Sequence, residues 1–381
     1  MVIDTFGIKI HVEKLLPVSF PRCIRLGLGL GLGLGLLNTE HNPFKKTTAL
    51  KNKSRKEQIL MLRAGLIFVF IILSQLSEAQ TCCSGGVPIS SNIGFDKDKA
   101  GVLNLAFGYD ENVLQTLNTG TKVLEDNSRS RKTKSYIFRS AWTFKNHWSI
   151  ESFIPLIDQN RTIKNQNTVT DNESSFGIGD PIIMVGKHFK IKKTRIAFSL
   201  GPKLPIGSYT KRNSRDLLLL EDLQPGSGAW DGILFSSLKK EVIPLFNGLF
   251  YFNSIYSLRG VNNNSRNGLQ AYKFGNDLQL ISGLSFQLLA LKNIIEPGLS
   301  VRYRIVERDQ VDNNMLPATG GQFIFTRLHL GLPIANIGTL NLNAAIPIYA
   351  KVNETQLTPT YSFNISWTKN ILIRKEKLMS I

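Results

Sequence analysis

From residue 103 to residue 367 the chain is a succession of short runs in which apolar and polar residues alternate one by one. This feature constrains the fold most. A period of two sends alternate side chains to opposite faces of a strand, whereas a helix face recurs every three to four residues. The last run is the cleanest. Tyr361, Phe363, Ile365 and Trp367 point one way, and Ser362, Asn364, Ser366 and Thr368 point the other. Leu340, Leu342, Ala344, Ile346 and Ile348 oppose Asn341 and Asn343, and Leu299, Val301, Tyr303 and Ile305 oppose Ser300, Arg302 and Arg304. Leu103, Leu105, Phe107 and Tyr109 alternate with Asn104, Ala106 and Gly108. Tyr136, Phe138, Trp142 and Phe144 share a face opposite Arg139.

The connections between runs also alternate. Long polar segments occupy 118–134, 158–174, 208–229, 259–270 and 307–321, and a more modest one 351–357. Between them fall short turns at 145–146, 188–193 and 333–338, a Pro-containing turn before the run ending at Leu258, and a modest connection after Leu284. The expected fold is all-β: an antiparallel transmembrane β-barrel of about 12 strands, with short periplasmic turns and long extracellular loops. In a soluble sandwich the apolar faces would form a core. In a membrane barrel they meet lipid, and the polar faces line a wet lumen. The loop alternation and the aromatics near strand ends (Trp142, Trp148, Trp230, Tyr349 and Trp367) favour the membrane.

Composition agrees. Hydrophobic residues make up 42% of the 381, yet mean hydropathy is −0.04. A polytopic helical protein needs about 20 successive apolar residues per span. Residues 1–60 stand apart, with a Leu-Gly repeat at 26–36 and a basic stretch at 45–56. They read as a low-complexity upstream extension outside the fold. Residues 61–79 read as a signal peptide: Arg63, then an apolar core from Ala64 to Leu73, then Ser77-Glu-Ala79 as a small-x-small cleavage site. On this reading Met61 is the start and the mature chain begins near Gln80. A periplasmic segment follows at 80–100, then the barrel at 101–368 and a basic tail at 369–381.

Net charge is +18. The basic residues are spread over loops and alternate strand positions, without a nucleic-acid motif. Anionic headgroups or sugars are the expected contacts. The expected partners are outer-membrane lipid, a small solute and the barrel-assembly machinery, with no nucleic acid. Cys82 and Cys83 are adjacent and strained for bridging to each other. Neither a metal nor a cofactor is expected.

Candidate lumen-lining residues are Arg139, Glu151, Arg195, Lys203, Asp277, Arg302 and Arg304. They form either an ion-paired plug or a charged, selective pore. After residue 80 the histidines are His147, His188 and His329. Two flank short turns and the third lies near a strand end, so catalysis is not expected.

Three motifs punctuate the strands: Phe176-Gly-Ile-Gly-Asp180, Gly201-Pro-Lys-Leu-Pro-Ile-Gly207, and Asp222-Leu-Gln-Pro-Gly-Ser-Gly228 through Asp231. With Cys82-Cys-Ser-Gly-Gly-Val-Pro88, they resemble the outer-membrane barrels of the phenol-degradation MetA-pathway transporter type, especially Bacteroidetes-type relatives. The resemblance covers roughly residues 80–368 and marks Gly177, Gly179, Asp180, Gly201, Lys203, Pro205, Gly207, Asp222, Gly226, Gly228 and Asp231 as motif residues. It implies an outer-membrane location and passive uptake of small solutes, hydrophobic or aromatic compounds among them. The alternative is a non-conducting surface barrel whose loops bind a ligand or partner.

Overall fold

The computed structural model describes residues 101–165, 168–243, 247–290 and 293–373. The expected upstream extension, signal peptide, cysteine pair and most of the basic tail lie outside the described residues. Twelve strands form the wall. They are β1 (Val102–Thr119), β2 (Arg129–Thr143), β3 (Trp148–Asn165), β4 (two segments, Thr168–Ile178 and Ile182–Ile191), β5 (Thr194–Lys203) and β6 (Asp231–Ile243), followed by β7 (Gly248–Leu258), β8 (Asp277–Ser285), β9 (Asn293–Val306), β10 (Gly321–Ile334), β11 (Gly338–Val352) and β12 (Thr355–Leu372). Each pairs antiparallel with its sequence neighbours, and β1 pairs with β12 from Val102↔Leu372 to Thr119↔Thr355. The sheet is a closed 12-strand barrel. Closure leaves no unpaired edge, which hydrocarbon would not tolerate.

The side-chain alternation sorts as the sequence indicates. Phe107, Phe138, Phe198, Leu200 and Leu234 face outward and are exposed, while Asn104, Asp110, Arg139, Asn343 and Asn364 face inward and are buried. An apolar outer surface this extensive belongs in lipid rather than water. Aromatics mark its two borders. Trp142, Trp148 and Trp367 lie toward the short turns, where Trp142 and Phe144 pack at 4.6 Å between ring centroids. Trp230 and Tyr349 lie toward the long connections. The short turns are built on left-handed positions, including Asn146 (φ 59°) and Asn336 (φ 62°), which Asn tolerates better than most residues.

Several expected loops prove to be strand. Residues 129–134, 158–165 and 168–174 continue the ladders of β1–β4, with Leu114↔Arg131 and Thr162↔Asn172 still in register. A tilted strand crosses lipid in about 9–11 residues. β1, β3 and β12 have 18 each and run past the lipid at the extracellular end. There both faces meet water, so the apolar alternation that signalled strand is not required. The connection at 351–357 is likewise a tight turn, because β11 reaches Val352 and β12 restarts at Thr355. β12 continues to Leu372, beyond the expected barrel end at 368. Tyr272, which follows the expected 259–270 connection, sits outside the barrel wall. Val261–Ser265, Gln270–Lys273, Gln310–Val311 and Asn314–Met315 form a separate four-stranded extracellular sheet. There Asp309 Oδ2 accepts from Tyr272 Oη at 2.8 Å, and Oδ1 from the Gly275 amide at 2.7 Å.

Candidate functional site

The barrel offers two candidate places: the lumen and its extracellular mouth. The motif residues gather at the mouth. Lys203, at the end of β5, is almost wholly buried. Its Nζ lies 3.0 Å from Asp180 Oδ2, 2.7 Å from Asp231 Oδ2 and 2.7 Å from Ser227 Oγ. Asp231 also holds Arg259 at 2.8 Å and accepts from the Gly260 amide at 3.0 Å. Asp180 accepts from the Gly207 amide at 3.0 Å, and from the Ser227 amide and hydroxyl at 2.7 Å each. Two cations therefore face two carboxylates in a nearly dry site. Such a network is sound only because every charge has partners. Lys203 is a structural clamp here and not a free lumen charge.

The clamp pins the 204–230 connection to the wall. Gly177 is the penultimate residue of the first segment of β4, and the Gly179 amide bonds Pro155 O at 2.9 Å where the strand breaks before Pro181. Gly226 passes so close to Gly207 that an added Cβ would lie 2.6 Å from the Gly207 carbonyl carbon, so only glycine fits. Gly201, on β5, is the same case: a Cβ would lie 1.9 Å from Ile183 O. Pro205 starts the connection beside Leu204, whose amide bonds Pro181 O, and Gly228 turns it back at φ +68°.

From there the connection spreads over the mouth. Gln224 ties it to itself: its Oε1 accepts from the Lys211 amide, and its Nε2 donates to Lys211 O and Leu219 O. Leu219 and Leu223 are buried beneath it. Asp222 reaches Arg131 of β2 at 2.8 Å, Gln224 O accepts from Gln159 of β3 at 3.2 Å, and Leu223 O accepts from Ser175 of β4. On the other side Glu221 binds Ser265 and Arg266 at 2.9 Å each. The connection thus bridges from β2 to the segment between β7 and β8. Arg131, Gln159 and Arg259, which make these contacts, were not expected as site residues, since they lie in polar stretches that carry no pattern.

Inside the lumen the expectation of a uniformly polar lining is overturned. Phe153, Ile182, Met184, Ile233, Phe235, Ile255 and Ile281 face inward from β3, β4, β6, β7 and β8 and pack together. Part of the inward face was therefore apolar, and its bulk was hidden because both faces of these strands carry apolar residues. The inward polar and charged groups lie mainly on β1, β2 and β9–β12, with a second apolar cluster of Val306, Phe323, Phe325, Ala350 and Val352 toward the extracellular end of β9–β11. Arg139 faces inward over the Phe153 ring at 4.8 Å. Glu151 is fully buried and accepts from Ser199 Oγ at 3.3 Å. Arg304 is paired with Asp277 at 2.9 Å. Arg302 stacks on Phe325 at 3.9 Å. Arg195 lies near the short turn between β4 and β5. The expected list misses Asp110, Arg327, His329, Asn343 and Asn364. The last four form a relay: Arg327 Nη2 donates to Asn343 Oδ1 at 2.6 Å, His329 Nδ1 lies 2.9 Å from the same oxygen, and Asn343 Nδ2 donates to Asn364 Oδ1 at 2.9 Å.

No family model and no curated protein matches the chain. In structure it is similar to an outer membrane channel from Pseudomonas putida F1, at 8% identity and a TM-score of 0.60, over 74% of this chain and 100% of that one. The beta domain of the Bordetella autotransporter BrkA (8% identity, TM-score 0.40, covering 70% and 99%) and a Pseudomonas aeruginosa FadL homologue (9%, 0.34, 72% and 90%) are looser likenesses that add nothing to the assignment. The fold is that of an outer-membrane β-barrel.

Proposed function

We propose that this protein is a passive outer-membrane channel for small solutes. The observation that carries the reading is the ionic wall of β1, β2 and β9–β12, where Asp110, Arg302, Arg304, Arg327 and His329 face the lumen. A barrel serving only as an anchor has no need to place so many ionisable groups inside, where they cost solvation unless water reaches them. The apolar wall opposite supports solutes with a hydrophobic or aromatic body, in line with the transporter resemblance. The reading includes no catalytic step. His188 Nε2 lies 2.9 Å from Ser149 Oγ, but that serine is wholly buried, and His329 is held by Asn343. Outer-membrane lipid and the barrel-assembly machinery are the partners that go with it.

One observation favours the second reading, a surface barrel that binds through its loops: the 204–230 connection bridges the mouth. Reconstitution separates the two. Purified barrel in liposomes should give swelling or conductance with small solutes. Absence of both, with correctly folded protein, would leave the binding reading standing.

A further inference from the structure

The apolar wall of the lumen is bracketed by two arginines. At one border Arg139 stands opposite Phe153 in the β2–β3 ladder. At the other Arg302 stands opposite Ile281 in the β8–β9 ladder. Phe153, Met184, Ile233, Phe235 and Ile281 run between them as one packed surface. An arginine therefore stands at each end of this apolar surface.

The two arginines differ in their company. Arg139 is buried, and the Glu151 carboxylate attracts it. Arg302 is only partly buried, and among the described residues no carboxylate lies within ion-pair distance of it. Its neighbours Arg304 and Arg327 repel it, and Asp110 and Asp277 attract it. Asp277 is already committed to Arg304 at 2.9 Å. Arg327 already donates to Asn343. The Arg302 Cζ lies 3.9 Å from the centroid of the Phe325 ring. Among the described residues its N–H donors, arranged to grip a carboxylate with two bonds, are engaged in no hydrogen bond or ion pair.

We propose that Arg302 is an anion-binding station, and that the preferred solute is a small organic monoanion with a compact apolar or aromatic body. The carboxylate meets the Arg302 edge while the body lies along Ile281 and the apolar wall beside it. One unpaired cation next to an apolar surface matches one negative charge attached to an apolar group. A polyanion or a neutral sugar would use only half of the site. A channel needs such a site to be weak enough for release, and flanking arginines keep the anion mobile rather than trapped. The inference rests on the channel reading for its use, but the binding itself is measurable without transport.

The test uses benzoate as the probe, with benzyl alcohol as its neutral counterpart, on the full mature protein folded in detergent micelles. Binding is read by saturation-transfer NMR and flux by liposome assay. Wild type should bind benzoate in preference to benzyl alcohol, and Arg302→Gln should weaken benzoate binding about tenfold or more, the loss expected for a charge-assisted forked contact. Arg302→Lys, which keeps the charge and folds under the same constraints, should fall between them. The loop variant Arg215→Gln should match wild type. Benzoate binding that is undetectable in wild type, or equal in wild type, Gln and Lys variants, overturns the proposal. Solute flux without benzoate binding would overturn it and leave the channel standing, whereas Arg302-dependent binding without flux would uphold it and remove the channel reading.

Discussion

Replacing Lys203 with methionine should unlatch the mouth. The substitution keeps the aliphatic stem and removes the ammonium that lies 3.0 Å from Asp180 and 2.7 Å from Asp231. Removing one partner of a buried ion pair costs about 3–5 kcal/mol, because a charge is left buried without compensation. The lower end applies here. Asp231 keeps Arg259 at 2.8 Å, and Asp180 keeps the Gly207 and Ser227 amides. At about 1.4 kcal/mol per tenfold, a loss near 3 kcal/mol shifts the latched-to-released ratio roughly a hundredfold. Amide hydrogen exchange reads this directly. Gly207, Gly226 and Ser227 should lose up to that factor in protection, since their amides bond Asp180 or the facing loop backbone. The Asn364 amide, in the β1–β12 ladder, should not change. Adding Asp180→Asn to Lys203→Met should restore part of the protection, because one unpaired charge is then removed. Equal protection at Ser227 in wild type and Lys203→Met would refute the clamp.

The extracellular sheet should respond to pH. Burial pushes the Asp309 carboxyl above the usual carboxylate range, and burial with the neighbouring Asp309 pushes the Tyr272 phenol up as well. A raised acid adds stability that is full below its unfolded value near 4 and is lost as pH rises through the folded one. Exchange protection of Ala271 and Asp312, corrected for intrinsic rates, should therefore fall as pH rises from acid, and Asp309→Asn should flatten the trend; a flat wild-type profile counts against it. Gly201→Ala should prevent folding, since its Cβ would lie 1.9 Å from Ile183 O. A normal heat-modifiable band on gels would contradict that contact. Single cysteines at Lys122, Arg215, Leu269 or Asn314 should react with an impermeant reagent on whole cells. Those at Lys193 or Ala335 should stay silent until the outer membrane is opened, and labelling of both sets on intact cells would sink the topology.

The sequence by itself determined the strand number, their order and their outward faces. In β12 each of Tyr361, Phe363 and Ile365 points to lipid, because a two-residue period allows one register with all of them outside. It also marked the residues that cluster at the mouth, since Gly201, Gly207, Gly226, Lys203, Asp180 and Asp231 stand out as glycines and charges at strand ends. Three matters waited for the tertiary structure. Residues 129–134, 158–165 and 168–174 are strand because their backbones pair across the ladder, and ladder bonds leave no mark on side-chain polarity where both faces are wet. The roles of the lumen charges depend on partners far apart in the chain. Lys203 is spent on the clamp, Arg304 on Asp277, and Arg302 lies over the Phe325 ring with no ion pair among the described residues, yet all three read alike in sequence. The apolar stripe of the lumen runs across five strands, so no single strand displays it. Period reports which face a residue is on, and only closure of the barrel decides what that face meets.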